Sequence, residues 1–555
     1  MAPQLQINQG PQDALLFDNT KSYFTNVPYV RTSNFQMELR DVDAQNTANL
    51  GATVNFVVPK AADLLGPVDL MIEFEKAATD STATGYAGWV ESVGLAMIEK
   101  ITFSVGSHDV EVLTSEHLNI MNELMRSDTH RYGFRQILKT GRPLVRHEAK
   151  GGTTGNEVDS IIVSSDKTYD TYDRLIMKGT TVQDGKKLIV PLGLFFTTHP
   201  SKYFPLCAVA GCNDVRISIK FRQFKELLMG HGLYAVEGSA GAGEVKEADA
   251  MGAVTVPTPA NGSSWLKRCQ LRCHYIHVTG PEATALMNKE HVRLMKLWHG
   301  NEVSKQFSVP CASGVGSASK MELDLSFLHP VQELVITIRK VKDMGSATDA
   351  AVAPGTAGIV ANNTMMTKNY FAYHGGGRDP NPDSFKNCVE EEGTSDVVGT
   401  SAYLKTQTFT LKLNGQTRHL DGAGIDRDYL MDRLMPMLHS NTGSSYFDIA
   451  ESMIPENKDN NDSAKPKRSD DFRALSELKD RKEIYVYPFA LNPEGANPSG
   501  SVNFSKVSHA KLSIDVVGYC GGTSQSGTED FQVDVYGVYY NWLAIKDGRA
   551  LTSFA

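Results

Sequence analysis

Little in this chain of 555 residues points to chemistry, membranes or nucleic acid. Its seven cysteines, an odd number and widely spaced, do not make a disulfide framework. Basic residues are outnumbered, 55 Lys+Arg against 64 Asp+Glu, for a net charge of −9. That balance argues against a protein that coats nucleic acid by neutralising phosphates, and the one compact basic cluster is KPKR at 465–468. Long hydrophobic runs are missing too: LIVPLGLFF at 188–196 falls far short of the roughly 20 residues that cross a bilayer. The opening MAPQLQINQGPQDALLFDNT has no charged start, apolar stretch and cleavage site, so no secretory signal is visible. These absences predict a soluble protein made in the cytosol.

Catalytic signatures are equally scarce. HGGG at 374–377 resembles the oxyanion loop of some esterases, but the G-x-S-x-G elbow such an enzyme needs does not occur. GSAGAG at 238–243 lacks the Lys-Ser/Thr of a phosphate loop and reads as linker. DNND at 459–462 suggests a calcium loop, but the sixth position is Ala464 rather than glycine. Cys269, Cys273 and His277 lie in CQLRCHYIHV, which alternates like a strand. Four residues of strand span roughly 13 Å, so these groups cannot share a zinc ion that needs ligands within about 2.3 Å. They read as structural thiols. The acidic run 390–392 reads as solvated loop, and KPKR as part of a charged loop before it reads as a nuclear signal. Asn261, Asn362, Asn461 and Asn503 open N-x-Ser/Thr triplets that read as chance matches without a secretory signal. The sequence assigns no catalytic, cofactor-binding or metal-binding residue, and no cofactor.

What the chain does have is short strands, and it has them twice. ATVNFVV (52–58), KITFSV (100–105), TFTLKL (408–413), EIYVY (483–487) and FQVDVYGVYY (531–540) are rich in β-branched and aromatic residues and bounded by Gly, Pro, Asn and Asp. No regular strand–helix alternation builds a parallel sheet. Three blocks recur in order: GPVDLMIEFEK (66–76) with HPVQELVITIRK (329–340), VGSHDVEVLTSEHLNIMNELM (105–125) with NGQTRHLDGAGIDRDYLMDRLM (414–435), and HPSKYFPLCAVAGCNDVRISIKF (199–221) with NPSGSVNFSKVSHAKLSIDV (497–516). In the last pair Ile217, Ile219 and Phe221 alternate with polar residues, as do Leu512, Ile514 and Val516, each strand having one apolar and one wet face. In the middle pair a turn glycine, Gly106 or Gly415, precedes a short amphipathic helix, 120–125 or 430–435. Ordered blocks of this kind indicate internal duplication, and a chain this long exceeds one hydrophobic core. Two all-β sandwiches in series, with short helices in their connections, are predicted. The second copy carries a far longer, small and polar connection at 341–406, and loops beyond about 15 residues are usually functional or disordered.

The ordered blocks resemble the double jelly-roll major capsid proteins of the nucleocytoplasmic large DNA viruses. The likeness is strongest in YVYPFALNPEGANPSGSVNFSKVSHAKLSI (485–514), which is similar to that family's aromatic strand, F-A-L-x-P, P-S-G-x-x-N-F-S and polar strand. KLNGQTRHL (412–420) resembles its L-N-G-Q-x-R turn, and KSYFTNVPYVRTSNFQMEL (21–39) its opening. VPLGLFFTTHPSKYFPLCAV (190–209) is similar to the segment closing its first jelly roll, and VYGVYYNWLAIKDGRALTSFA (535–555) to its last strand and tail. The resemblance implies an all-β fold of two tandem eight-stranded antiparallel jelly rolls. Residues 1–25 would be an N-terminal arm beneath the capsomer, 26–224 the first jelly roll, 225–265 a linker, and 266–555 the second jelly roll with long outer loops.

The resemblance also implies a non-enzymatic role. Homotrimers present six similar wedges, so a threefold object tiles an icosahedral shell with a nearly hexagonal outline. The implied partners are neighbouring capsomers, minor capsid proteins and, through associated proteins, an internal membrane, with no direct contact to nucleic acid. The implied location is the virion, assembled in the host cytoplasm, where unpaired thiols persist. The rivals are a scaffolding or minor capsid protein of the same fold, and a carbohydrate-binding or carbohydrate-active β-sandwich.

Overall fold

The computed structural model describes residues 33–79, 86–90, 92–125, 137–138, 145–149, 159–163, 175–178, 181–182, 184–209, 211, 213–231, 257–288, 290–299, 303–312, 317–341, 370–371, 373, 402–418, 424–439, 484–520 and 526–553. Alternation dictates the strands. In VRISIKF, Val215, Ile217, Ile219 and Phe221 are buried while Arg216 and Lys220 are exposed, so the segment covers one side of a core. The first repeat uses β1 (Phe35–Asp43), β2 (Thr53–Val58), β3 (Leu64–Phe74), β4 (Ile98–Val105), β5 (His108–Thr114), β6 (Lys187–Pro191), β7 (Val215–Phe221) and β8 (Leu266–Val278), with helix α1 (Ser115–Met125) after β5. One sheet runs β1-β8-β3-β6 and the other β2-β7-β4-β5. Between them Phe103 packs on Phe195, Phe196 and Phe204, with ring centroids 6.2, 5.2 and 5.4 Å away.

The second repeat uses β9 (His291–Trp298), β10 (Val303–Ala312), β11 (Ser317–Asp324), β12 (Pro330–Lys340), β13 (Ala402–Leu413), β14 (Gln416–Thr417), β15 (Ile484–Pro488), β16 (Ala510–Cys520), β17 (Ser526–Lys546) and β18 (Arg549–Thr552). Its strand order is β14-β13-β16-β10-β17-β12-β15, with β9 and β18 on β17 and β11 on β16. The two layers are continuous because β10 runs antiparallel along β17 and reaches β16 where Ala312 meets Tyr519.

Hydrogen-bond registers show the duplication residue by residue. Leu65 of β3 pairs with Tyr275 and Val68 with Cys273; Val331 of β12 pairs with Tyr539 and Leu334 with Gly537. The short strand Phe204–Pro205 pairs beside Leu65 as Val502–Asn503 pairs beside Val331. Val105 pairs with Val215 at the end of one hairpin, Leu413 with Ala510 at the end of the other. The Pro-Ser-Gly block has a backbone reason: Gly500 sits at φ 139°, and a Cβ there would lie 2.7 Å from the Phe489 carbonyl oxygen.

The structure corrects several expectations. A boundary at 265/266 cuts through the first repeat, because β8 pairs with both β1 and β3. The segment expected as linker is anchored at both ends: Leu228–His231 pairs with the strand Tyr86–Trp89, and Phe224 stacks on Trp265 with centroids 4.2 Å apart. The helix expected at 120–125 begins at Ser115, and the one expected at 430–435 is a π-helix over Tyr429–Leu434 that continues as Met435–Leu438. Not all of the long connection after β12 is surface loop, since Phe371 and Tyr373 are buried.

Phe103 is fully buried among three other rings. Phe103→Ala is expected to cost about 3–5 kcal/mol, read as a lower midpoint in chemical denaturation with an unchanged slope.

Candidate functional site

The most elaborate polar chemistry lies on the seam where the second repeat's β9-β17-β12 layer meets the first repeat. Arg339 on β12 donates through Nη2 to Asp534 Oδ2 of β17 at 2.5 Å and through Nη1 to the Tyr370 carbonyl oxygen at 3.0 Å. Its Nη1 also stands 3.5 Å from Glu116 Oε1, at the start of α1 in the first repeat. Arg222, just after β7, reaches the same Glu116 oxygen at 3.3 Å, donates to the Ala96 and Ile98 carbonyl oxygens at 2.6 and 3.0 Å, and lies 4.4 Å over the Tyr370 ring. Asp534 Oδ1 accepts from Ser304 Oγ at 2.6 Å and from Gln532 Nε2 at 2.8 Å. Two arginines thus bracket two carboxylates, one acid from each repeat, with nearly every oxygen bonded. That is the condition under which buried charge is tolerated.

Apolar contact surrounds the charges. His117 packs on Trp298 and Tyr536 with centroids 5.3 and 5.0 Å away. Burial holds His117 down at about 4, so it is neutral at physiological pH. Burial alone would push the Glu116 carboxyl up, but Arg339 and Arg222 outweigh it and hold the group at about 2. Burial opposes the charge on Arg339 too, and Asp534 outweighs it, so its pKa is raised. Further along the seam Asn213 Nδ2 donates to the Gly548 carbonyl oxygen at 2.8 Å, and His108 Nε2 lies 3.2 Å from Thr552 Oγ1.

A second polar cluster fixes the loop after β15. His439 places Nε2 3.0 Å from Glu333 Oε2 and Nδ1 3.2 Å from Glu494 Oε1, so one imidazole bridges two carboxylates. Burial lowers its pKa, and the bonds to the carboxylates outweigh that, leaving it at about 9. Lys296 Nζ donates to the Pro493 and Gly495 carbonyl oxygens, and burial pulls it down to about 8. This is why FALNPEG is a rigid loop: its carbonyls are tied to β9 and its glutamate to His439.

The remaining features of note are uncovered surfaces. Phe35, Met37 and Leu39 project from one face of β1 at 56%, 56% and 54% exposure. On the second repeat Val292, Trp542 and Leu551 line neighbouring β9, β17 and β18, and Tyr429 and Met437 stand out from the helical segment.

Comparison with known proteins gives these surfaces a context. Residues 22–259 match the family model described as major capsid protein N-terminus. The major capsid protein of Phaeocystis pouchetii virus is 22% identical over 97% of this chain and 96% of its own length. That of Pyramimonas orientalis virus is 23% identical over 97% and 95%. Among solved structures, the quasi-atomic model of the PBCV-1 virus capsid aligns with TM-score 0.56 at 16% identity, covering 96% of this chain and all of that one. The Faustovirus major capsid protein aligns with TM-score 0.54 at 12% identity, covering 95% and 93%. Along nearly its whole length the chain is similar to viral major capsid proteins, and its fold is that of the double jelly-roll capsid proteins.

In this fold the polar clusters are joints. Cys269 and Cys273 point into the first core, where burial pushes both thiols up to about 12 and keeps them protonated, while His277 bonds Glu38 at 3.0 Å. No group of three or more His, Cys, Asp or Glu that could hold a metal ion is present among the described residues. Asn261 accepts from the Ser263 and Ser264 amides at 3.0 and 3.1 Å, and Asn503 caps the 3₁₀ turn Phe504–Lys506. HGGG, GSAGAG, DNND, KPKR, the 390–392 run, Asn362, Asn461 and the arm 1–25 lie outside the described residues. Sequence reasoning missed Arg339, Asp534, Glu116, Arg222 and Tyr370. The available signal was a charge at the end of an otherwise apolar strand, VQELVITIRK, and an aromatic cluster, YFAY, inside a loop of small residues.

Asp534→Ala would strand Arg339 and is expected to cost about 3–5 kcal/mol in chemical denaturation. The Glu116 contribution is present above about pH 4.5 and lost as pH falls toward 2, because its folded pKa is depressed. His439 has the opposite sign: its contribution is present below about pH 6.5 and lost as pH rises through about 9. Lys296, depressed in the folded state, gains stability over the alkaline range, so the comparison isolating His439 is wild type against His439→Gln. The difference in their melting midpoints should shrink between pH 7 and pH 9.5.

Proposed function

We propose that the chain works by self-association: three copies form a capsomer of pseudo-hexagonal outline, and capsomers tile the icosahedral shell of a large double-stranded DNA virus. Proteins of this kind assemble into capsids with neighbouring subunits. The observation that carries the reading is the duplication of both sheets in matching register, which gives each chain two similar wedges. Three such chains have true threefold and near-sixfold symmetry, the combination a hexagonal tiling needs. Interfaces of this permanent kind bury more than about 2,000 Å². The surplus of acidic residues fits a shell held away from the genome. Minor capsid proteins, and an internal membrane reached through associated proteins, are the further partners of this reading, with assembly in the host cytoplasm.

The first test is the native mass of the purified protein by light scattering, with negative-stain images. The expected result is three times 60.7 kDa and hexagonal outlines. A monomer at every concentration and salt tried would overturn the proposal.

A further inference from the structure

The seam inside one chain describes a second seam between chains. In the second repeat the layer β9-β17-β12 turns a face toward the first repeat, and that face is buried: Trp298 is 8%, Asp534 3%, Tyr536 1% and Arg339 4% exposed. The registers identify the matching positions in the first repeat. Trp298 pairs with Val538 as Leu39 pairs with His274. Val335 pairs with Tyr536 as Asp69 pairs with Arg272, and Arg339 with Gln532 as Glu73 with Arg268. The equivalent face is therefore the outer side of β1-β8-β3, carrying Leu39, Arg272 and Glu73. Leu39 is 54% exposed there, and the Arg272 side chain 36%. One repeat's face is a covered joint, and its counterpart lies open.

The element that covers the joint also has a counterpart. Glu116 and His117 follow β5, whose Thr114 pairs with Lys100. In the second repeat Asp426 pairs with Thr408 at the matching place, so Asp428 stands where Glu116 does and Tyr429 where His117 does. Both are open: the Asp428 side chain is 77% and Tyr429 52% exposed. An acid followed by a ring begins both helices.

From these two open counterparts we infer that the outer face of β1-β8-β3 receives the Asp428–Tyr429 helix start of another copy of this chain. The inference rests on the self-association proposed above and names the surfaces that make it. His117 touches Trp298 and Tyr536, so Tyr429 of one copy meets Leu39 and Arg272 of the next, an aromatic ring on an apolar side chain and a guanidinium. Asp428 enters a mixed-charge face on which Arg272 holds Asp41 at 2.8 and 3.0 Å and Arg268 stands 3.5 Å from the same carboxylate. It thus joins arginines already shared with one acid, as Glu116 joins Arg339 beside Asp534. Arg339 itself is replaced by Glu73, and Lys267, bonded to Glu73 at 2.8 Å, supplies the cation beside it. The contact is head-to-tail, using different surfaces on the two copies, and such a contact closes into a ring when its rotation is a whole fraction of a turn, as in the threefold capsomer proposed above.

The test is a cross-link between two chains. Full-length Leu39→Cys and Tyr429→Cys proteins, separately tagged and co-expressed, are expected to form a disulfide-linked pair carrying both tags under mild oxidation, with neither variant cross-linking alone. Independently, Asp428→Arg should raise the dissociation constant of the assembly at least tenfold with the monomer's melting midpoint unchanged. Arg272→Glu, which also gives up its bonds to Asp41 within the monomer, should raise it as much, and the two changes in one chain should restore most of the assembly, which loss of the Asp41 bonds alone would not. No mixed disulfide, with assembly untouched by both reversals, would overturn this interface while leaving self-association standing. A wild-type protein that never exceeds one copy would overturn the self-association proposal itself.

Discussion

A sandwich of two sheets normally leaves its outer faces to water, and here one outer face is dry. The β9-β17-β12 layer lies against the first repeat, so Arg339 and Asp534, which an isolated domain would solvate, are committed to each other and to Glu116. Charges taken out of water are tolerable only when fully paired, and the pairing spans both repeats. This makes the two sandwiches one body rather than beads on a thread. Tyr370, Phe371 and Tyr373, from the long connection of the second repeat, fill the same joint, and the Tyr370 hydroxyl reaches back to the Glu226 carbonyl oxygen.

The architecture was legible in the sequence because it is written in alternation and repetition. Three repeated blocks located strands whose registers turn out to match, and the FALNP and PSG motifs mark a loop whose backbone has specific demands at Gly500, Lys296 and His439. The joint was not legible, for a physical reason. Glu116 reads as a helix-start acid, Arg339 as a strand-end cation and Asp534 as the wet side of an alternating strand, and each would be ordinary on a solvated surface. Only the docking of one repeat on the other turns them into a buried set. The repeat boundary failed similarly: CQLRCHYIHV alternates equally well for either sandwich, and hydrogen bonding to β1 and β3 decides it.

The polar clusters also separate two kinds of fixation. At the seam, Glu116 is held ionised by arginines that never lose their charge, so its contribution to the joint is insensitive to pH across the neutral range. At the loop after β15, the bridging cation is an imidazole whose charge is lost in mild alkali. The first arrangement ties domains together, and the second ties down a loop.

The length of β17 has a consequence for how a newly made chain matures. Its 21 residues touch β9, β10, β12 and β18, and they carry both Asp534 and Tyr536. Arg339 therefore waits 195 residues of synthesis for its carboxylate. The first sandwich has all its strands once β8 has left the ribosome, while the second cannot present its docking face until β17 follows. A chain interrupted before residue 534 would hold one finished sandwich beside an unneutralised arginine and an unfilled sheet, unable to make the joint. Translation order thus acts as a timer: the surface that joins the halves is the last to exist, and only a chain read through β17 can offer it.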